Sequence, residues 1–118
     1  MSKIMVVDDA AFVRMQYTKS LVDNGYEVVE ASNGEEAVNK YRESSPDGVL
    51  LDINMPVKDG IVTLHEIINM DPQARVAMVS CIGSQSVVLS ALKTGARDFL
   101  VKPTGKEGLI GAVRKLLS

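Results

Sequence analysis

Apolar residues gather in five short runs along the chain, and each run is followed by a stretch with helical periodicity. The runs cover 4–7 (IMVV), 27–31 (EVVEA), 48–52 (GVLLD), 75–80 (RVAMVS) and 97–101 (RDFLV). Short β-branched runs bounded by polar or turn residues predict strands. Phe12, Met15 and Val22 recur at helical spacing within 10–23, and Ala37, Val38 and Tyr41 within 34–44. Leu64, Ile67 and Ile68 do so within 59–70, and Val88, Ala91 and Leu92 within 84–94. Leu109, Ile110, Val113, Leu116 and Leu117 give the cleanest stripe. Asn24-Gly25 and Thr94-Gly95 predict helix stops with glycine in the left-handed conformation. Asp71-Pro72 ends the third helix, because the residue before proline is driven out of helical geometry.

Strict βα alternation predicts an α/β fold: a parallel sheet with helices on both faces. Runs 4–7, 48–52 and 75–80 are nearly continuous apolar segments, as central parallel strands should be. The second strand carries Glu27 and Glu30 and the fifth carries Arg97 and Asp98, which suits the edges. With right-handed crossovers the strand order is 2-1-3-4-5, the flavodoxin-like arrangement, and ligands bind outside the carboxyl ends of its strands.

Four strands deliver a chemically capable side chain to that rim. The first ends in Asp8-Asp9, the third in Asp52 and the fourth in Ser80, while Lys102 follows the fifth. Separately, each has a plain structural explanation as a helix cap, a turn residue or a solvated lysine. Their convergence on one rim is the informative feature. Two carboxylates ~4 Å apart repel by about 4 kcal/mol at an effective dielectric of about 20. Either one of them takes up a proton or a cation binds. Oxygen donors of this kind suit Mg²⁺. A carboxylate nucleophile beside a cation, a hydroxyl and an ammonium is equipped for phosphoryl transfer.

Composition narrows the rest. A length of 118 residues fits one domain, and 46% hydrophobic with 24% charged residues is an ordinary globular balance. A net charge of −2 argues against a nucleic-acid binder. Cys81 is the one cysteine, so neither an internal disulfide nor a cysteine-based metal cluster can form. The apolar run at 4–7 is too short for a signal peptide or a membrane span, which leads us to expect a cytoplasmic protein.

Val7-Asp8-Asp9, the stretch Asp52-Ile53-Asn54-Met55-Pro56-Val57-Lys58-Asp59-Gly60, then Ser80, and then Phe99-Leu100-Val101-Lys102-Pro103 resemble the marks of bacterial response-regulator receiver domains. The resemblance spans the whole chain, so residues 1–118 are expected to form a single receiver domain with no output domain. Asp8-Asp9-Ala10-Ala11-Phe12-Val13-Arg14-Met15 looks closest to the single-domain CheY-type chemotaxis regulators.

The resemblance implies a role for each matching position. Asp52 would be the phosphoacceptor, taking the phosphoryl group from a phosphohistidine on a sensor histidine kinase. Asp9, Asp52 and the backbone carbonyl of Asn54 would hold Mg²⁺, with Asp8 acting through a water. Lys102 would pair with the phosphoryl group and gain a partner that it lacked. Ser80 would hydrogen-bond the phosphoryl group and shift towards it, and Phe99 would then turn inward as the aromatic switch. Pro103 would follow a cis peptide bond. The output surface would be helix 4, strand 5 and helix 5, reading to a flagellar motor switch protein, or alternatively to a phosphotransfer protein in a phosphorelay. A monomer without enzymatic turnover of a separate substrate is expected.

Some positions depart from the family pattern. Phe99 replaces the tyrosine common in chemotaxis members. Cys81 stands where a smaller residue such as alanine is usual, and with Ile82 it flanks access to the site. Thr104 occupies a place where an aromatic or other apolar residue is frequent. Gly105, Gly108 and Gly111 weaken the start of the last helix.

Other functions fit less well. A haloacid-dehalogenase-type phosphohydrolase needs a second aspartate two residues after its nucleophile as general acid, and that position is Asn54. A flavodoxin needs a hydroxyl- and glycine-rich phosphate loop after the first strand, where Asp8-Asp9 would repel a phosphate. A purely structural module leaves the acid cluster unexplained.

Overall fold

The computed structural model describes residues 2–55, 58–81, 83–102 and 104–118. Five strands alternate with five helices: β1 (Lys3–Val7), α1 (Ala11–Asp23), β2 (Glu27–Ala31), α2 (Gly34–Ser44), β3 (Gly48–Asp52), α3 (Gly60–Met70), β4 (Val76–Ser80), α4 (Gln85–Thr94), β5 (Asp98–Val101) and α5 (Lys106–Leu117). All strand pairs are parallel and the order is β2-β1-β3-β4-β5, as the charge on the outer strands predicted. β3 and β4 are buried along their whole length, whereas β2 exposes Glu27 and Glu30.

Side chains alternate across the sheet, so each strand feeds two cores. Met5, Val7, Leu51 and Met78 point towards α2, α3 and α4, where they meet Ala37, Leu64, Ile67 and Ala91. Ile4, Val6, Leu50 and Val79 point to the other side and pack on α1 and α5 through Leu21, Leu109 and Val113. Each fully buried aliphatic side chain stabilises the fold by roughly 1.5–3 kcal/mol.

Local chemistry sets the helix ends. Asn33 caps α2 by accepting the Glu36 N–H at 2.8 Å, and Asp59 caps α3 by accepting the Val62 N–H at 3.0 Å. Gly25 and Gly95 have positive φ after α1 and α4, as expected. α2 instead stops on Ser45, at φ 45°, immediately before Pro46.

The inward face of α1 differs from the one its periodicity indicated. Phe12, Met15 and Val22 do share a face, but that face is turned to solvent: they are 65%, 58% and 54% exposed. Val13, Tyr17 and Leu21, spaced i, i+4, i+8, turn inward instead. α1 has apolar residues around much of its circumference, so the β1–α1–β2 crossover, not the helix pattern, selects the buried face. Among the described residues no helix is long and apolar enough to cross a membrane.

Candidate functional site

Strand register assembles the site. Val7 pairs with Leu51, so Asp8 follows β1 alongside the end of β3, where Asp52 stands. Asp52 pairs with Val79, and Ser80 pairs with Val101. Asp8, Asp52, Ser80 and Lys102 therefore reach one rim from four adjacent strands. The backbone N–H of Lys102 donates to the Ser80 carbonyl at 2.7 Å, which ties the chain leaving β5 to the end of β4.

Gly60 lets α3 start directly beneath this rim. A Cβ at that position would overlap the Asp52 carbonyl and the Ile53 backbone. The Gly60 N–H donates to the Ile53 carbonyl at 2.8 Å, holding the loop after Asp52 in a tight turn.

Charge is concentrated and largely dry. Asp8, Asp52 and Ser80 are buried, whereas Asp9 is open to solvent. One carboxylate oxygen from each of Asp8, Asp9 and Asp52 lies within 4.8 Å of the other two. Asp8 is well held: Oδ1 accepts the Ala10 N–H at 2.9 Å and Oδ2 accepts from Lys102 Nζ at 2.8 Å. Lys102 Nζ also stands 3.5 Å from Asp52 Oδ1. Lys102 thus already has a carboxylate partner, contrary to the expectation that it lacks one before phosphorylation.

Burial pushes the Asp52 carboxyl above the usual carboxylate range, and the charge of Asp8 pushes it further. Lys102 and a hydrogen bond from the Asn54 N–H oppose this without cancelling it. Burial of Lys102 favours its neutral form, but the hydrogen bond to Asp8 and the charges of Asp52 and Asp8 outweigh it and raise its pKa. Three acids against one lysine leave net negative charge in a poorly solvated pocket, a donor set that fits a hard, oxygen-seeking divalent cation.

The response regulator receiver domain family matches residues 4–114. The chain belongs to that family. Chemotaxis protein CheY of Bacillus subtilis (strain 168) is 51% identical over 117 residues, covering 98% of both chains. Chemotaxis protein CheY of Thermotoga maritima is 44% identical over 115 residues, covering 97% of this chain and 96% of the relative. Among solved structures, the CheX-CheY-BeF3-Mg²⁺ complex from Borrelia burgdorferi matches with a TM-score of 0.95 at 36% identity, covering 99% of this chain and 90% of that one. The protein is thus a receiver domain of the CheY type, a signalling switch of the two-component class that includes chemotaxis regulators.

Within this receiver domain the remaining expected residues are distributed as follows. Ser80 ends β4, fully buried at the rim. Phe99 is half-buried and packs against the core on the α3–α4 side. Cys81 is exposed and lines a cleft of about 270 Å³ with Lys102 and Thr104. Asn54 is exposed and shares a larger cleft of about 650 Å³ with Asp9, Met55, Asp59 and Ser86. Ile82 and Pro103, with its expected cis peptide, lie outside the described residues.

Two residues at the site escaped the motif reading. Arg14 donates to the Asp8 carbonyl at 2.7 Å and to Glu30 at 3.0 Å, bracing the turn that carries the acids. Tyr17 is buried next to Lys102 and Thr104. Their signal was weak, because each is one helical position among many. The spacing of Val13, Tyr17 and Leu21 marks one of several apolar faces on α1 without singling it out as the buried one.

Proposed function

We propose that Asp52 is the phosphoacceptor of this switch. The observation that carries the reading is the trio of Asp8, Asp52 and Lys102 joined by contacts of 2.8 and 3.5 Å at the carboxyl end of a parallel sheet. In the proposed transfer an Asp52 carboxylate oxygen attacks the phosphorus of a phosphohistidine on a sensor kinase. The O–P bond forms as the P–N bond breaks, and the imidazole nitrogen keeps the electron pair. Asp9, Asp52 and the Asn54 carbonyl would hold Mg²⁺, with Asp8 engaged through water; bound there, the ion would neutralise developing charge on the phosphoryl oxygens. Lys102 leaves Asp8 to pair with the new dianionic group, and Ser80 donates its hydroxyl.

The phosphorylated group brings about −1.5 to −2 charge, enough to bias a nearby two-state element. That element is the segment from Cys81 through α4 to β5, with Phe99 turning inward as Ser80 shifts. Leu89, Leu92 and Val101 are each more than two-fifths exposed, which supports α4 and β5 as part of an output face that α5 would complete. The chemotaxis relatives favour a flagellar motor switch protein as the reader of that face, over a phosphotransfer protein. The chain acts as a monomeric switch of the cytoplasm, turning over only its own phosphoryl group and binding neither nucleic acid nor membrane. Asn54, standing where a phosphohydrolase needs its general acid, supports a switch over an enzyme.

The test is incubation with Mg²⁺ and a small phosphodonor, followed by mass spectrometry. An acid-labile adduct of one phosphoryl group on Asp52 is expected. Undiminished labelling of Asp52→Asn would refute the assignment. Pull-downs against motor switch and phosphotransfer proteins, with a phosphoryl mimic, separate the two outputs.

A further inference from the structure

Lys102 is a flexible four-carbon stem whose ammonium, among the described residues, is held at the rim by Asp8 and Asp52. Both contacts weaken when those carboxylates engage a phosphoryl group or a cation. The stem then needs a wall, since the open cleft beside it offers an escape towards Cys81.

Tyr17 supplies that wall. It stands in the middle of α1 and is only 8% exposed. Its ring lines the cleft together with Val13, Gln16, Cys81, Lys102 and Thr104. One turn further along α1, Leu21 is fully buried and fixes the helix against the sheet. Beside the ring, the Thr104 hydroxyl donates to the Val101 carbonyl at 3.2 Å. That bond joins the chain on the two sides of Lys102, and Tyr17 lines the cleft next to it.

We infer that Tyr17 is a positioning residue for phosphoryl binding: its ring closes the cleft behind Lys102 and keeps the ammonium directed at the acceptor. The inference rests on the reading of Asp52 as acceptor and Lys102 as phosphoryl ligand. Tyr17 itself touches neither the phosphoryl group nor the cation. Its loss therefore affects the binding of a phosphoryl analogue without affecting the carboxylates that bind Mg²⁺.

Calorimetric titration separates these effects. Mg²⁺ is titrated first, then beryllofluoride at saturating Mg²⁺, into the wild type, Tyr17→Phe and Tyr17→Ala. Tyr17→Ala is expected to weaken beryllofluoride binding about tenfold or more, as loss of orientation does, with Mg²⁺ affinity at the wild-type value. Tyr17→Phe keeps the ring and is expected to recover most of the affinity. Unchanged beryllofluoride binding in Tyr17→Ala overturns the inference. So does parallel loss of Mg²⁺ and beryllofluoride binding with a lowered melting temperature, the signature of a merely structural role. A wild type that binds Mg²⁺ but no beryllofluoride would instead fail the phosphoacceptor reading itself, and the inference with it.

Discussion

Lys102 donates to Asp8 at 2.8 Å while standing 3.5 Å from Asp52, so one ammonium is shared unequally between two buried carboxylates. Among the described residues, Asp52, the proposed acceptor, is held less closely by the ammonium than Asp8. This asymmetry would suit the proposed role of Asp52 in attacking phosphorus, since Asp8 holds the ammonium more closely.

Asp52 should therefore destabilise the fold at neutral pH when no divalent ion is present. Its folded-state pKa is raised, by burial first and by Asp8 second. A folded state that holds the proton more tightly than the unfolded chain loses stability as pH rises through the shifted pKa. Asp52→Asn removes this penalty. Melting in EDTA at pH 7 is expected to show the variant above the wild type, by about 4 °C for each kcal/mol recovered in a domain of this size. The difference should disappear in acid, below about pH 4, where Asp52 is protonated in both states. A variant that melts lower than the wild type at pH 7 would contradict this account.

Under the proposed metal site, Lys102 and a divalent cation would compete to neutralise the same oxygens. Lys102→Met leaves Asp8 buried beside Asp52 without its cation, and breaking a buried pair in this way costs about 3–5 kcal/mol before relaxation. The variant is expected to be less stable than the wild type in EDTA but to gain more from Mg²⁺. Saturation at about 100 times the dissociation constant contributes about 2.7 kcal/mol to any protein that binds only when folded. A larger Mg²⁺-induced rise in melting temperature for Lys102→Met than for the wild type is the check. Equal rises would mean that Lys102 and the ion do not share the carboxylates.

Gly60 links the fold to the chemistry. A methyl group there meets the Asp52 carbonyl and the Ile53 backbone rather than a flexible side-chain tip. Gly60→Ala is expected to cost about 1–3 kcal/mol, as overpacking does, and to move the Asp52 loop. Chemical denaturation should show the loss of stability, and labelling with a small phosphodonor should fall well below wild type. Full labelling in a destabilised variant would show that the loop can shift without disturbing the site.

Much of this was legible in the sequence because βα alternation and right-handed crossovers leave few topologies. Glu27 and Glu30 marked an edge strand, and the strand-end positions of Asp8, Asp9, Asp52 and Ser80 marked the rim. α1 was less legible. Phe12 and Met15 have the periodicity of a core stripe, yet the buried stripe is Val13, Tyr17 and Leu21. A helix with apolar residues on several faces does not say which face the sheet will cover. The partnership of Lys102 with Asp8 was hidden for a different reason: it depends on side-chain reach across two strands, which spacing along the chain does not encode.

That difference on α1 is directly measurable. Leu21→Ala removes a fully buried side chain and is expected to cost about 2–5 kcal/mol. Phe12→Ser removes one that is 65% exposed, and is expected to change stability by no more than about 0.5 kcal/mol. Urea titrations of both variants decide it. A large loss for Phe12→Ser would restore the face indicated by its periodicity.

Tyr41 offers a control remote from the site. Its hydroxyl donates to Asp71 Oδ2 at 2.8 Å, joining α2 to the end of α3. Burial first, then the bond to Asp71 and its charge, raise the Tyr41 pKa well above the usual phenol range. The protonated phenol is thus favoured by folding, so its contribution is complete below about pH 10 and declines as pH rises further, when the unfolded chain ionises first. Tyr41→Phe is expected to cost about 0.5–1.5 kcal/mol at neutral pH, the net value of one hydrogen bond. The gap between wild type and variant should narrow in alkaline urea titrations, while phosphodonor labelling of Asp52 stays at the wild-type level throughout. A gap that widens with pH would reverse the assigned sign, and loss of labelling would show that the α2–α3 contact reaches the acceptor.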